Sequence, residues 1–154
     1  MPQTEMTCHS PATEQAPDGA TRIALIGSPN GGKTSIFNQL TGLHAKTGNY
    51  PGVTVSRSEG VARIHDHTFA IEDLPGTYSL SPISPDEQVV VDVLDGRMDQ
   101  VSAPDALVVV ADATALRRSL LLLAEVLPRH LPTAVVVTMT DELRRRQGSL
   151  DVTA

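Results

Sequence analysis

The sequence predicts an α/β fold, in which a mixed and mostly parallel sheet carries helices on both faces. Segments with the patterns of strands and of amphipathic helices alternate along the chain, as in folds that pack helices on a parallel sheet. The composition is 40% hydrophobic but includes only two Phe, two Tyr and no Trp, so the core is predicted to be aliphatic. A length of 154 residues is sufficient for one such core.

The first predicted strand, residues 22–27, is a short apolar run that ends at a glycine-rich turn. A helix is predicted over residues 33–40, where Ile36, Phe37 and Leu40 share one face and Gly42 follows the end. Two strands, residues 53–64 and 67–73, are predicted to form a hairpin around a polar turn. The same patterns predict four further elements: a helix over 86–94, a strand over 105–111, a helix over 116–127 and a strand over 133–139.

Two regions are predicted, a disordered N-terminal tail over residues 1–20 and a single domain over residues 21–154. The tail lacks periodicity, and it has neither the basic start nor the apolar middle of a secretory signal. Cys8 and His9 are assigned no metal, because a lone pair in a polar tail is seldom a metal site. A single cysteine also excludes an intramolecular disulfide and is compatible with a reducing cytosol.

The formal charge of −6, from 12 Lys and Arg against 18 Asp and Glu, argues against a general affinity for nucleic acid or anionic lipid. No apolar window approaches the roughly 18–20 residues that a membrane-spanning helix needs. The chain as given is therefore expected to be soluble, with no direct membrane insertion. A local site for phosphate is compatible with this charge.

The strongest motif matches GxxxxGK[ST] between a predicted strand and a predicted helix. Glycines let backbone N–H groups approach phosphate oxygens closely, and the helix N-terminus favours their negative charge. The lysine is expected to neutralise β and γ oxygens, and the threonine hydroxyl to bind Mg²⁺. A fortuitous glycine turn is the alternative, and the correct strand, spacing and helix count against it. The predicted nucleotide-binding segment comprises Gly27, Ser28, Pro29, Asn30, Gly31, Gly32, Lys33, Thr34 and Ser35.

A second motif, DxxG, follows the strand that ends at Asp73. Asp73 is expected to reach Mg²⁺ through water, and the Gly76 N–H to bond the γ-phosphate, so that hydrolysis would release this loop. Taken alone, an Asp before a Pro-Gly turn is ordinary turn chemistry. Together the two motifs favour a Ras-like phosphate-loop GTPase.

Longer strings resemble one family of such GTPases. Residues 48–55 (GNYPGVTV) resemble switch I of FeoB, the ferrous iron transport protein, and residues 73–82 (DLPGTYSLSP) resemble its switch II. Residues 109–121 and the phosphate loop, with Pro29 and Asn30 before Gly31, are also similar to that family. The resemblance covers roughly residues 22–152 and implies GTP and GDP as ligands, with magnesium and potassium as cofactors.

The resemblance also implies how the cations are held. Thr54 is expected to close on Mg²⁺ and the γ-phosphate, joining Thr34 and Asp73 as a magnesium residue. As an alternative, Thr54 simply starts a strand, where β-branched residues are favoured. Asn30 is expected to help hold potassium beside the phosphates, and its alternative role is turn formation.

The resemblance implies that Lys33, Thr54 and Gly76 are the catalytic residues. Many Ras-like proteins place a water-orienting Gln directly after the DxxG glycine, but Thr77 stands there in this chain. Hydrolysis is therefore expected to rely on backbone groups and cations.

The guanine-recognition motif departs from the family's pattern. In residues 137–141 (VTMTD), Thr138 occupies the position of the usual Asn and Met139 that of Lys, while Asp141 is retained. Asp141 is expected to accept paired hydrogen bonds from guanine N1 and N2, with Thr138 also in the nucleotide site. The alternative is a strand followed by a helix-capping Asp. We expect guanine to be preferred only weakly.

The chain ends at Ala154, before the final strand, final helix and SA-type loop of Ras-like domains, so the domain is expected to be incomplete at its C-terminal end. The family's helical regulatory domain and transmembrane permease also lie beyond this point. The implied partner is the permease portion of a ferrous iron transporter, in cis or in trans. That partner implies a cytoplasmic location at the inner face of the cell membrane.

Three functions are compatible with these residues. The leading hypothesis is guanine-nucleotide binding and slow hydrolysis of GTP to GDP and phosphate, as the G domain of a ferrous iron uptake transporter. A truncated nucleotide-binding or regulatory module that does not hydrolyse GTP is the alternative. An ATP-using phosphate-loop enzyme is the third, and it lacks an acceptor-binding or lid segment.

Overall fold

The computed structural model describes residues 16–151, within which the chain forms six strands and four α-helices. The strands are β1 (Thr21–Gly27), β2 (Ala45–Asn49), β3 (Ser56–Ile64), β4 (His67–Asp73), β5 (Ala106–Asp112) and β6 (Thr133–Thr138). The helices are α1 (Lys33–Thr41), α2 (Pro85–Leu94), α3 (Leu116–Val126) and α4 (Thr140–Arg145). Short 3₁₀ turns at Ala113–Ala115 and Leu127–Arg129 flank α3.

The strands form one sheet in the order β2-β3-β4-β1-β5-β6. The β1–β4, β1–β5 and β5–β6 pairs are parallel, whereas β2–β3 and β3–β4 are antiparallel. The prediction of a mixed and mostly parallel sheet is confirmed. In this register Leu25 of β1 lies between Asp73 of β4 and Val108 of β5, so the carboxyl ends of three parallel strands meet at one edge. This edge is where ligands bind in open α/β sheets.

Helices cover both faces of the sheet, as predicted. Alternation along β1 sends Ala24 and Ile26 into a core shared with α2 and α3, and sends Leu25 into a core shared with α1. Phe37 of α1 is 2% exposed and packs against Leu25 and Ile71. Burying an apolar side chain of this size is worth about 1.5–3 kcal/mol.

Local sequence sets the helix ends that flank the site. Gly42 follows α1 with a φ of 61°, and its N–H donates to the Asn38 carbonyl, so the helix ends where the glycine predicted. Ser84 precedes α2, and its hydroxyl accepts from the Glu87 N–H at 3.3 Å, while Pro85 occupies the first turn.

Two strand predictions were wrong in detail. The strand predicted over residues 53–64 begins at Ser56, because residues 50–55 form a tight loop in which the Tyr50 N–H donates to the Val55 carbonyl at 2.9 Å. Strand β2 was not predicted at all. Its sequence AKTGN is polar and mostly exposed, so it carries no hydrophobic alternation, and pairing with β3 is what makes it a strand.

Residues 1–15 lie outside the described part of the chain, and with them most of the tail predicted to be disordered, including Cys8 and His9. Residues 17–20 form a turn that leads into β1, with the Ala20 N–H donating to the Pro17 carbonyl at 3.0 Å. Among residues 16–151, no helix combines the length and the apolar character needed to span a bilayer.

Candidate functional site

The phosphate loop, residues 27–34, connects the carboxyl end of β1 to the first turn of α1. Asn30 and Gly32 adopt left-handed backbone conformations, with φ of 60° and 88°, which Asn tolerates and Gly favours. No side chain of the described residues caps the start of α1. The N–H groups of this first turn can therefore serve an anion, as they do at phosphate-binding helix ends.

The glycines of the loop are required for different reasons. A Cβ atom at Gly27 would lie 2.6 Å from the Val110 carbonyl oxygen of β5, so this glycine is needed for close packing within the sheet. Gly32 is needed for its positive φ. The sequence predicted that all three glycines leave space for phosphate. Gly27 has a further structural role, because it allows β1 to pack closely against β5.

Asp73 holds the two chemically important side chains of the loop. Lys33 Nζ donates to Asp73 Oδ1 at 3.0 Å, and Thr34 Oγ1 donates to Asp73 Oδ2 at 3.0 Å. Lys33 is 8% exposed, which strengthens its electrostatic interactions. Parallel pairing of β1 with β4 brings Asp73 to this position from 40 residues further along the chain.

The oxygens of Thr34 and Asp73 fit a magnesium ion. Mg²⁺ prefers hard oxygen ligands, and a hydroxyl and a carboxylate are both of this kind. Thr34 Oγ1 and Asp73 Oδ2 lie 3.0 Å apart, so the hydroxyl could bind an ion directly while the carboxylate would reach the same ion through water. These two side chains can therefore approach one ion with little rearrangement.

A cavity of about 360 Å³ opens beside this pair. Lys33, Thr54, Asp73 and Gly76 all line it, so three segments that are distant in sequence converge on one space. Thr54 is exposed at the tip of the 50–55 loop and does not start a strand. The alternative reading of Thr54 as the first residue of β3 is therefore wrong.

The segment after Asp73 runs directly against the phosphate loop. The Leu74 N–H donates to the Leu25 carbonyl at 3.2 Å, and the Thr77 N–H donates to the Gly27 carbonyl at 3.0 Å. A Cβ atom at Gly76 would lie 2.8 Å from three atoms of Pro29. Thr77 is fully buried, and its hydroxyl donates to the Ser79 carbonyl at 2.6 Å, so its side chain is not presented to the cavity.

Thr138, at the end of β6, reaches the phosphate loop. Its hydroxyl lies 2.6 Å from the Gly31 carbonyl and 3.3 Å from the Ala111 carbonyl, and its single proton is best placed for the shorter contact. A Cβ atom at Gly32 would lie 3.3 Å from the methyl carbon of Thr138, so the two residues are close neighbours. The sequence placed Thr138 in the nucleotide site through the base-recognition motif, whereas the structure shows a hydrogen bond that supports the loop.

Asp141 lies in the first turn of α4 and is exposed. Its carboxylate pairs with Arg145 Nη2 at 3.1 Å, a surface contact of the kind worth about 0–1 kcal/mol. The residue that precedes the helix is Met139, with a φ of 57°, and Asp141 provides no side-chain cap. The alternative reading of Asp141 as a helix-capping residue is therefore wrong.

Sequence reasoning missed a buried polar cluster on the opposite face of β4. Glu72 is 5% exposed, and it accepts from the Tyr50 hydroxyl at 2.8 Å and from Arg57 Nε at 3.1 Å. Burial and the neighbouring Glu72 raise the pKa of Tyr50 above its ordinary value. Burial alone would lower the pKa of Arg57, but Glu72 and Glu59 raise it. A carboxylate within the apolar run of β4 was the available signal.

The phosphate loop follows β1, the DxxG segment follows β4, and Thr54 lies beside both. On this mixed sheet, these features define a Ras-like phosphate-loop G domain. The sequence model of the family described as Ferrous iron transport protein B matches residues 21–154. The chain belongs to this family, as the resemblance predicted.

Curated relatives agree with this assignment. The chain is 43% identical over 130 residues to the Fe(2+) transporter FeoB of Leptospira biflexa, covering 84% of this chain and 18% of that protein. It is 42% identical over 142 residues to the Fe(2+) transport protein A/Fe(2+) transporter FeoB fusion protein of Porphyromonas gingivalis, covering 92% of this chain and 16% of that protein. The chain thus spans less than a fifth of these relatives.

Solved structures of G domains share the fold. The G domain of the T. maritima FeoB iron transporter superposes with a TM-score of 0.73 at 41% identity, over 82% of this chain and 76% of that one. The cytosolic domain of the same transporter in its GMPPNP form gives a TM-score of 0.74 at 39% identity, over 82% and 48%. Its GDP form I also gives 0.74 at 39% identity, over 84% and 49%.

Proposed function

We propose that this chain binds GTP and GDP and slowly hydrolyses GTP to GDP and phosphate, as the G domain of a ferrous iron transporter. The observation that carries the proposal is the convergence of Lys33, Thr34, Thr54, Asp73 and Gly76 at the carboxyl end of β1. Structures of a relative in GDP and GMPPNP forms support guanine nucleotide as the ligand. In this proposal, residues 21–154 form the G domain.

The triphosphate would lie along the phosphate loop, with its negative charge facing the start of α1. Lys33 would contact the β and γ oxygens, and the Gly76 N–H would donate to the γ-phosphate. Asp141 would accept from the guanine edge, and Thr138 would hold the loop in shape through the Gly31 carbonyl. The remaining contacts are assigned to loop residues Ser28, Pro29, Asn30, Gly32 and Ser35.

Hydrolysis exchanges the bond between the γ-phosphorus and the β–γ bridging oxygen for a bond to a water oxygen. Negative charge develops on the phosphate oxygens, so positive partners that are already in place lower the barrier. Thr34, Thr54 and Asp73 would hold Mg²⁺ and Asn30 would help hold K⁺, and these ions would supply such positive charge. Because the Thr77 side chain points away from the cavity, the proposal assigns the positioning of the water to backbone groups and these cations.

Lysine substitution tests nucleotide binding. Lys33→Ala should lower triphosphate affinity by about 10- to 150-fold, because a charge-assisted contact is worth roughly 1.5–3 kcal/mol. Lys46→Ala is the matched control, since Lys46 is the chain's other lysine and lies exposed on β2. Calorimetric titration with GMPPNP measures both variants. Equal affinities for Lys33→Ala and Lys46→Ala would remove the phosphate-loop assignment.

Multiple-turnover phosphate release distinguishes the hydrolase from a binding module. Steady release of many equivalents of phosphate per protein supports hydrolysis. Tight binding of GTP without turnover would instead favour the nucleotide-binding or regulatory module. Preference for ATP in a competition assay would favour the phosphate-loop enzyme that uses ATP.

Potassium dependence tests the role proposed for Asn30. Potassium, but not sodium, should accelerate phosphate release from the parent protein. Asn30→Ala should remove the acceleration while most of the nucleotide affinity is retained, because the Lys33–Asp73 pair and the α1 N-terminus are unaffected. Equal rates of the parent in the two salts would show that no potassium site contributes.

We also propose that the chain acts at the cytoplasmic face of the membrane, together with a ferrous iron permease in cis or in trans. A chimera tests this proposal, in which this chain replaces the G domain of a related transporter. Ferrous iron uptake by cells that depend on the chimera should require Lys33 but not Lys46. Uptake that is equal for Lys33→Ala and the parent chimera would contradict coupling.

A further inference from the structure

A network of five side chains, here called the Glu72 network, lies beneath the 50–55 loop. Tyr50 and Glu72 are buried in it, and Arg22, Arg57 and Glu59 are partly exposed. Glu72 Oε1 accepts from Tyr50 and Arg57, and Glu72 Oε2 accepts from Arg22 Nη2 at 3.2 Å. Glu59 pairs with the same two arginines, at 3.2 Å to Arg22 and 3.4 Å to Arg57. Two carboxylates therefore balance two guanidinium groups, and Tyr50 is the neutral donor that completes the network.

Tyr50 connects this network to the loop that carries Thr54. Its side chain is 1% exposed and packs in the apolar core on the α2 face, together with Val55. The backbone between these two residues closes on itself, through the Tyr50 N–H to Val55 carbonyl bond of 2.9 Å and the Val53 N–H to Tyr50 carbonyl bond of 3.3 Å. Within the described residues, Tyr50 provides the one side-chain hydrogen bond of this loop.

Successive residues of β4 serve the two halves of the site. Side chains alternate along a strand, so Glu72 faces the Tyr50 side of the sheet, whereas Asp73 turns towards Lys33 and Thr34. The loop with Thr54 and the phosphate loop are thus attached to adjacent residues of one strand. The cavity between them is lined by Lys33, Thr54 and Asp73.

We propose that Tyr50 is a positioning residue for Thr54, because its buried hydroxyl attaches the 50–55 loop to Glu72 while its ring attaches the loop to the core. This inference rests on the proposed function, since it concerns how Thr54 meets the γ-phosphate. Tyr50 touches no reacting atom and acts through the loop. A ligand without a γ-phosphate would gain nothing from this positioning.

Tyr50→Phe tests the inference, because it removes the hydroxyl and keeps the ring in the core. The affinity for GMPPNP should fall by about 2- to 13-fold, the equivalent of one hydrogen bond, while the affinity for GDP stays within about twofold. Thr41→Val is the matched control, since it removes another buried hydroxyl bond, from Thr41 to the Phe37 carbonyl at 2.9 Å. Thr41→Val should leave the ratio of GMPPNP to GDP affinity unchanged.

Hydrogen exchange gives a second readout that needs no nucleotide. In the nucleotide-free protein, deuterium uptake over residues 50–55 should rise in Tyr50→Phe and not in Thr41→Val. Uptake equal in the two variants would overturn the inference, and so would an equal loss of GDP and GMPPNP affinity in Tyr50→Phe. If the parent protein binds no guanine nucleotide, the proposed function fails, and the exchange comparison alone decides whether Tyr50 holds the loop.

Discussion

Substitution of Gly76 by alanine should separate the segment after Asp73 from the phosphate loop. A Cβ atom at this position would meet the N, Cα and Cγ atoms of Pro29, each at 2.8 Å. Two of these three atoms belong to the backbone, so a side-chain rotation cannot relieve the contact. Gly76 does not have a positive φ, so the cost comes from the contact and not from the backbone conformation.

The size of the effect follows from the overlap. Ordinary contacts of a Cβ atom begin near 3.4 Å, so the segment or the loop must move by several tenths of an ångström. Such movement strains the bond of 3.0 Å between the Thr77 N–H and the Gly27 carbonyl. Overpacking of this kind costs about 1–3 kcal/mol. For a chain of this length each kcal/mol lowers the melting temperature by about 2–4 °C.

Gly48→Ala is the matched control. Gly48 lies on β2 with a negative φ, and a Cβ atom there would meet nothing within 4 Å. Alanine at such a position often stabilises a protein by about 0.4–1 kcal/mol, because it restricts the unfolded chain. The free energies of unfolding of both variants can be measured by urea denaturation, with thermal melting as a second observable.

The reasoning also predicts the result of a rescue. Pro29→Ala removes Cγ but leaves N and Cα in place, so the double variant Pro29→Ala with Gly76→Ala should recover only part of the lost stability. A Gly76→Ala protein as stable as Gly48→Ala would refute the contact. Complete recovery of stability in the double variant would show that the contact with the proline ring, and not with the loop backbone, causes the destabilisation.

Three further predictions follow from the site. Thr138→Val should lower GDP affinity by about 2- to 13-fold, because the Gly31 carbonyl loses its donor. Thr138→Asn can still donate and should raise GDP affinity several-fold. Calorimetry that finds equal GDP affinities for Thr138→Val and the parent would contradict the role of this hydrogen bond. Asp141→Asn should favour XDP over GDP, since an amide can donate to the xanthine 2-oxo group, and an unchanged ranking of GDP, ADP and XDP affinities would remove the base-reading role. In Tyr78→Phe, where Tyr50 is the single tyrosine, alkaline absorbance titration should show no ionisation near pH 10, because burial and Glu72 raise the pKa of Tyr50. The stabilisation from protonated Tyr50 is complete below pH 10 and is lost as pH rises towards the raised pKa.

The sequence could locate the phosphate loop because the residues that form it, and the strand and helix that flank it, are contiguous in the chain. A strand, a glycine-rich turn and the start of a helix occupy residues 21–41 without interruption. Gly42 ends that helix by its own conformation, and most of the apolar residues of β4 and β5 are buried. Hydrophobic periodicity and turn chemistry act over a few residues, so they can be recognised in the sequence without knowledge of the tertiary structure.

Tertiary structure decided which distant residues complete the site. Thr138 donates to Gly31 from 107 positions away, and no local pattern distinguishes that contact from base recognition. Glu72 is buried because Arg22, Arg57 and Tyr50 converge on it across three strands and a loop. Sequence by itself determined the phosphate loop, the alternating elements and the family, because these depend on neighbouring residues. Three features depend on the order and register of the sheet, which only the folded chain establishes: the hydrogen bond from Thr138 to the phosphate loop, the strand β2 and the Glu72 network.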